Sequence, residues 1–159
     1  MLNINNSNDD NYRYKMPKVI FKLGGNGNGI FTIINNINEI SDAINTPSDI
    51  LCKYISYTVG SAYNDKKQSI TGHHNNIQEI IFNYIDEFVI CQFCTIPELS
   101  YSLNKISNKK FTLLCRCSAC GNLNTLKNSN KISDKIIDNI NKYLIKNNWP
   151  ISKGNMVTK

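Results

Sequence analysis

The chain has no apolar run long enough to span a bilayer, and Met1 to Ser7 supply neither the charged n-region nor the apolar h-region of a secretory leader. A soluble, cytoplasmic protein is the expectation. No internal repeat, heptad array or long linker occurs, which removes solenoids and coiled coils. The glycine-rich stretch Gly24 to Gly29 has no Gly-Lys-Ser/Thr after it, so it is not a Walker loop. A strand-like segment follows it where a helix would be needed, so it is not a Rossmann turn either. No activated nucleophile or acid/base pair stands out, and His73 and His74 flank a turn and read as surface residues. An enzyme in its own right is not expected. Acidic side chains are the minority, 12 against 18 Lys and Arg, and the resulting charge of +6 favours a polyanionic partner: nucleic acid, a phosphate-rich site or an acidic protein surface.

What the chain does have is cysteine. In a reducing compartment its six thiols read as metal ligands plus spares rather than as disulfides. Cys91-Gln92-Phe93-Cys94 and Cys117-Ser118-Ala119-Cys120-Gly121 are two C-x-x-C units roughly twenty residues apart, the spacing of a zinc ribbon. A two-residue gap lets one tight turn aim two thiolates at one ion, and two such turns complete a tetrahedron. Four thiolates close the shell, whereas a catalytic zinc keeps a position open. A redox C-x-x-C needs a thioredoxin-like setting that is missing here. Iron is also compatible with four sulfurs, so the ligands are better specified than the metal. Cys115 could replace Cys117 through a C-x-C-x-x-C arrangement, and Cys52 lies on a predicted helix and reads as packing. Gly121 offers the second turn a permissive backbone; the first turn has no matching glycine and is expected to be less regular.

Residues 1–11 are polar and acidic and are expected to form a mobile tail. An aromatic and basic arm follows, Tyr12-Arg13-Tyr14-Lys15-Met16-Pro17. Val19 to Leu23 and Ile30 to Ile34 read as a hairpin with a flexible, exposed tip. Ile37, Ile40 and Ile44 predict a short helix, and Thr46-Pro47 fits an N-cap and first-turn proline opening a second helix through Ile50, Leu51, Tyr54 and Ile55. Tyr57 to Ala62 and Gln68 to Thr71 read as strands joined by a basic tip, Lys66-Lys67. Ile77, Ile80, Ile81, Tyr84 and Ile85 mark a third helix, and Ile136, Ile137, Ile140, Tyr143 and Leu144 mark a closing one within 134–146. The expected class is α+β: an α/β domain over 12–87 with hairpins and packed helices, a zinc ribbon plus closing helix over 88–148, and a tail over 149–159.

Taken in order, Tyr12-Arg13-Tyr14-Lys15-Met16-Pro17, Gly27-Asn28-Gly29-Ile30, Lys53-Tyr54, Ile70-Thr71-Gly72-x-His74, the two cysteine pairs and Leu144-Ile145-Lys146-Asn147 resemble the N-terminal domain of the eukaryotic translation initiation factor 5 family. The resemblance runs over residues 12–148, and the Tyr-Arg-Tyr-Lys-Met-Pro segment is its most specific part. It implies a structural Zn2+ and a module that works in start-codon selection on the small ribosomal subunit. It further implies that the chain promotes GTP hydrolysis by initiation factor 2 through an arginine matching Arg13, with the gamma and beta subunits of that factor as partners. Family members place the glycine hairpin near initiator tRNA, which implies RNA contacts at Lys22, Gly27, Asn28 and Gly29. Lys53, Lys66 and Lys67 are further basic candidates. Glycines let backbone approach RNA closely, and Asn28 can donate and accept.

Three departures shape the expectation. Asn26 stands at a loop position usually basic in the family, and Phe31 where a lysine is common, so a weaker electrostatic grip on RNA is expected. The family's C-terminal helical-repeat domain, which recruits other initiation factors, has no counterpart in these residues; a fragment or a reduced version is expected, monomeric outside the initiation complex. The rival expectations are a beta-subunit-like, tRNA-contacting module of initiation factor 2 and a general nucleic-acid-binding zinc ribbon. An iron-sulfur carrier is more remote.

Overall fold

The computed structural model describes residues 1–124 and 130–150. It is an α+β fold of nine short strands and four helices among the described residues. Residues 1–11 are not a free tail. Strand β1 (Leu2–Asn3) pairs antiparallel with β2 (Lys15–Met16), and the next residue, Ile4, is fully buried. One isoleucine delivered to the core, plus Asn3 donating its side-chain amide to the carbonyls of Ser7 and Asp9, is enough to order a segment whose composition alone looks too polar to fold.

Strands β3 (Phe21–Gly24) and β4 (Phe31–Ile34) form the expected hairpin around a single 3₁₀ turn, Gly27–Gly29. β4 pairs in turn with β6 (Ser69–Thr71), and β6 with β5 (Tyr63–Asn64), so the antiparallel order is β3-β4-β6-β5. Alternation along β4 sends Thr32 and Ile34 inward. Helix α1 (Ile37–Ala43), helix α2 (Ser48–Val59) and helix α3 (Ile77–Phe88) supply the apolar faces that build the core, with Tyr54, Tyr84 and Phe88 at its centre. Tyr84 stacks on Phe88 at 5.2 Å, and Tyr54 meets Tyr84 edge-on at the same separation.

Two local expectations change. The segment from Tyr57 is helix through Val59, and Gly60 ends it in the left-handed region at φ +72. Tyr, Thr and Val mimic a strand there, yet burial of Ile50, Leu51, Tyr54 and Ile55 at helical spacing wins, and Thr58 bonds back to the Tyr54 carbonyl at 2.8 Å. Thr46 does not cap α2. Its hydroxyl donates to the Ile44 carbonyl and accepts from Tyr84, both at 3.3 Å, and Pro47 occupies the cap position.

The cysteine-bearing part is a three-stranded antiparallel sheet, β7 (Leu99–Lys105), β8 (Phe111–Cys117) and β9 (Leu123–Asn124). The closing helix α4 (Lys131–Lys146) starts earlier than its apolar spacing suggests, because the Asn130 side chain accepts from Ser133 N and caps it. It packs against both α2 and β7. Trp149 is buried against Tyr101, ring centroids 4.7 Å apart, so the chain is still folded there; the remainder of the expected tail, 151–159, lies outside the described residues. Tyr101 donates to the Phe88 carbonyl at 2.7 Å, and Leu99 N reaches the Val89 carbonyl at 3.3 Å. One hydrophobic cluster therefore runs from Ile4 through the helices to Cys117 and Ile140.

Candidate metal centre and arginine platform

Each cysteine pair is held by the same backbone device. Thr95 N donates to the Cys91 carbonyl at 2.9 Å, and Gly121 N donates to the Cys117 carbonyl at 2.8 Å. Both closing residues take the left-handed conformation, Thr95 at φ +61 and Gly121 at φ +77. The first turn is thus as regular as the second, and the missing glycine is replaced by a strained threonine whose hydroxyl bonds the Cys94 carbonyl at 2.6 Å.

The two turns face each other. The ligand atoms of Cys91, Cys94, Cys117 and Cys120 all lie within 4.8 Å of one another. Cys91 Sγ is 3.7 Å from Cys120 Sγ, and Cys94 Sγ is 3.5 Å from Cys117 Sγ. A tetrahedral ion with metal–sulfur bonds of about 2.3 Å requires edges of about 3.8 Å, so the thiols already stand at coordinating separation. Cys115 is buried on β8 opposite Tyr101 and is not part of the four-sulfur group. Cys52 is likewise core, its thiol pushed up to about 12 by burial. Burial also works against ionisation of Cys91, but the backbone amides of Cys94 and Phe93, with Cys120 beside it, outweigh that and bring its thiol down to about 7. Burial pushes Cys117 up to about 12. A dication bound among the four thiols would displace their protons.

Arg13 is exposed between Tyr12 and Tyr14, whose ring centroids lie 5.8 Å apart. It is not carried on a loose arm. Tyr14 is 7% exposed, its carbonyl accepts from Ile4 N at 3.0 Å and its hydroxyl donates to Glu98 Oε2 at 2.9 Å. Burial first, and then the Glu98 hydrogen bond and charge, push the Tyr14 phenol up to about 12, so it remains a donor throughout the neutral range. Immediately after it, Lys15 Nζ bonds Asn3 Oδ1, closing the β1–β2 ribbon.

In the hairpin, Gly25 has φ +80, and a Cβ there would come 2.1 Å from the Gly29 carbonyl oxygen. Only glycine fits. Gly27, Asn28 and Gly29 form the 3₁₀ turn, closed by Gly29 N to the Asn26 carbonyl at 3.0 Å; Gly27 and Gly29 are exposed, and so is Lys22 on β3. The Phe31 ring lies over Gly24 and Gly25, and Lys67 Nζ sits 5.6 Å from its centroid. Phe31 thus provides no charge itself, yet it draws one from the neighbouring β5–β6 turn, where Asn64 Oδ1 accepts from the amides of Lys66 and Lys67. The structure therefore joins Lys67 to the glycine hairpin. Lys53 is placed differently: it is on α2 and donates to Asn139 Oδ1 of α4 at 3.0 Å. Sequence reading missed Glu98, which pairs across 84 residues with Tyr14, and missed Phe31 as the seat of Lys67. Neither leaves a local signal.

No helix among the described residues is long and apolar enough to cross a membrane. The model of a family described as a domain found in initiation factors 2B and 5 matches residues 4–123. The chain is 34% identical over 145 residues to "Eukaryotic translation initiation factor 5" of Mus musculus, an alignment covering 87% of this chain and 33% of that protein. It is 32% identical over 139 residues to the Saccharomyces cerevisiae protein of the same name, covering 84% of this chain and 33% of that one. With "Probable eukaryotic translation initiation factor 5-2" of Arabidopsis thaliana the identity is 35% over 141 residues, 84% of this chain and 31% of the relative. The chain spans about a third of the length of the curated relatives it matches. It belongs to the family of the domain shared by initiation factors 2B and 5.

Proposed function

We propose that this chain acts in translation initiation as a GTPase-activating module: it presents Arg13 to the nucleotide of initiation factor 2 while start codons are selected on the small ribosomal subunit. The single observation that carries this reading is the placement of Arg13, exposed and flanked by two tyrosines of which one is buried and hydrogen-bonded at both ends. A guanidinium is permanently charged and forked, so it can bridge oxygens as negative charge spreads over a transferring phosphoryl group. Held on a fixed platform, it needs little ordering when the partner docks, which lowers the entropic cost of assembling the transition state. The chain itself supplies the cation; the nucleotide belongs to the partner.

The four cysteines fit Zn2+ as a closed structural ion, by donor type and by sulfur–sulfur separation. Bound there, zinc would cross-link the two turns and perform no chemistry. Lys22, the Gly27–Gly29 turn, Lys66 and Lys67 form the basic rim we assign to RNA, with initiator tRNA as the ligand; Lys53 belongs to this set only by charge. A second reading is a beta-subunit-like module contacting tRNA without any role for Arg13; in its favour, the family description names initiation factor 2B as well, so the domain is not confined to initiation factor 5. Stable capture by purified gamma subunit would favour it.

The test is GTP hydrolysis by a ternary complex of initiation factor 2, GTP and initiator tRNA on small subunits, with and without the zinc-loaded chain. Acceleration by a factor of about 10³ or more is expected of a donated arginine. An identical rate in the two reactions contradicts the reading.

A further inference from the structure

We propose that Glu98 is a positioning residue for Arg13: from the edge of the cysteine-bearing sheet it grips the Tyr14 hydroxyl and so holds the backbone from which the neighbouring guanidinium projects. This rests on the reading of Arg13 as the group presented to the partner's nucleotide.

Glu98 lies immediately before β7, between the two cysteine turns. Its amide donates to the Ile96 carbonyl at 2.9 Å, and its own carbonyl accepts from Ser118 N, inside the second turn, at 3.0 Å. Ile96 is in turn tied to the first turn, its carbonyl accepting from Cys91 N at 3.1 Å. The backbone carrying the carboxylate is therefore clamped from both turns. Its Oε2 accepts from Tyr14 at 2.9 Å, and a charged acceptor makes this the strong kind of hydrogen bond. At its other end Tyr14 is tied to Ile4, and its ring rests on Tyr12. Tyr12 is tied on the other side, its amide donating to the Asp9 carbonyl at 3.2 Å, so the Arg13 backbone runs between two anchored neighbours.

The Tyr14 ring fills the core, and its hydroxyl adds the tie to Glu98. A transition-state donor misplaced by about 1 Å costs on the order of a hundredfold in rate, so a hydrogen bond that steadies the Arg13 segment is consequential for catalysis by the partner. The same geometry couples the order of the cysteine turns to the arginine, since unclamping Glu98 frees Tyr14.

The experiment compares the full chain with Tyr14→Phe, Glu98→Ala and Glu98→Gln by backbone 15N relaxation at Arg13 and by stimulated GTP hydrolysis. Tyr14→Phe keeps the buried ring, and its thermal midpoint is measured beside the rate. Both Tyr14→Phe and Glu98→Ala should drop the Arg13 order parameter from the rigid range near about 0.85 towards about 0.6. The maximal stimulated rate should fall about tenfold to a hundredfold with the half-saturating concentration unchanged. The double variant should be no worse than either single one, and Glu98→Gln, which keeps an acceptor, should recover most of the rate. An unchanged order parameter in both variants overturns the proposal. So does full stimulation by Glu98→Ala where Arg13→Ala is inactive. If Arg13→Ala itself stimulates fully, the reading of Arg13 as the acting group has failed, and the relaxation data alone decide whether Glu98 holds the segment.

Discussion

Thr95 shows how a single residue can carry a cost that its neighbours make unavoidable. Its backbone must turn left-handed for its amide to reach the Cys91 carbonyl, and for a β-branched side chain that conformation costs roughly 1–2 kcal/mol. Gly121 does the same work in the second turn without strain. Replacing Thr95 by Gly should therefore stabilise the metal-loaded protein by about 0.5–1 kcal/mol, after allowing for the extra freedom glycine gains when unfolded. Chemical denaturation reads this directly, and a midpoint that stays put or falls would show that the Thr95–Cys94 hydrogen bond outweighs the strain. At this scale the four-cysteine group was legible, because C-x-x-C spacing is a local property of the chain. The regularity of the first turn was not, since nothing in Cys91 to Thr95 declares that threonine would accept a glycine's conformation.

Elements tell a different story in the two halves of α2 and in α4. The apolar spacing of Ile50, Leu51, Tyr54 and Ile55 is readable as helix, but its last turn carries Tyr57, Thr58 and Val59, residues that favour strands in isolation. Tertiary burial decided that turn, and burial is not written in a short window of sequence. The strand at Leu2–Asn3 was hidden for a related reason: its partner, Lys15–Met16, supplies the order that its own composition lacks. For α4 the pattern was clear, yet its place was not. It lies against α2 and β7 together, so its inner face closes the first part of the fold as well as the ribbon. Ile140 is fully buried there, and Ile140→Ala should cost about 2–5 kcal/mol in equilibrium unfolding. A loss well under about 1 kcal/mol would mean that the helix is an ornament on an independently stable core.

Across the whole molecule, the expected division at residue 88 into an α/β domain and a ribbon does not correspond to a break in the packing. Cys91, Leu99, Tyr101, Cys115 and Cys117 share one apolar cluster with Ile55, Ile81 and Tyr84, and Tyr101 is bonded to the last residue of α3. A metal bound at the four thiols would then stabilise the entire chain, because binding there is linked to folding of whatever is cooperative with it. Removing zinc with a chelator should lower the midpoint of a single thermal transition. A biphasic melt whose upper step is unmoved would instead make the ribbon a separate unit. The same continuity is what connects the cysteine turns, through Glu98 and Tyr14, to the one arginine on which the functional reading depends.

That arginine admits the most direct measurement. Single-turnover GTP hydrolysis by initiation complexes, saturated first with the chain and then with its Arg13→Ala form, should show the stimulated rate collapsing by about 10³ or more while both proteins melt at the same temperature and bind initiation factor 2 equally well. Equal rates from the two forms would contradict the account.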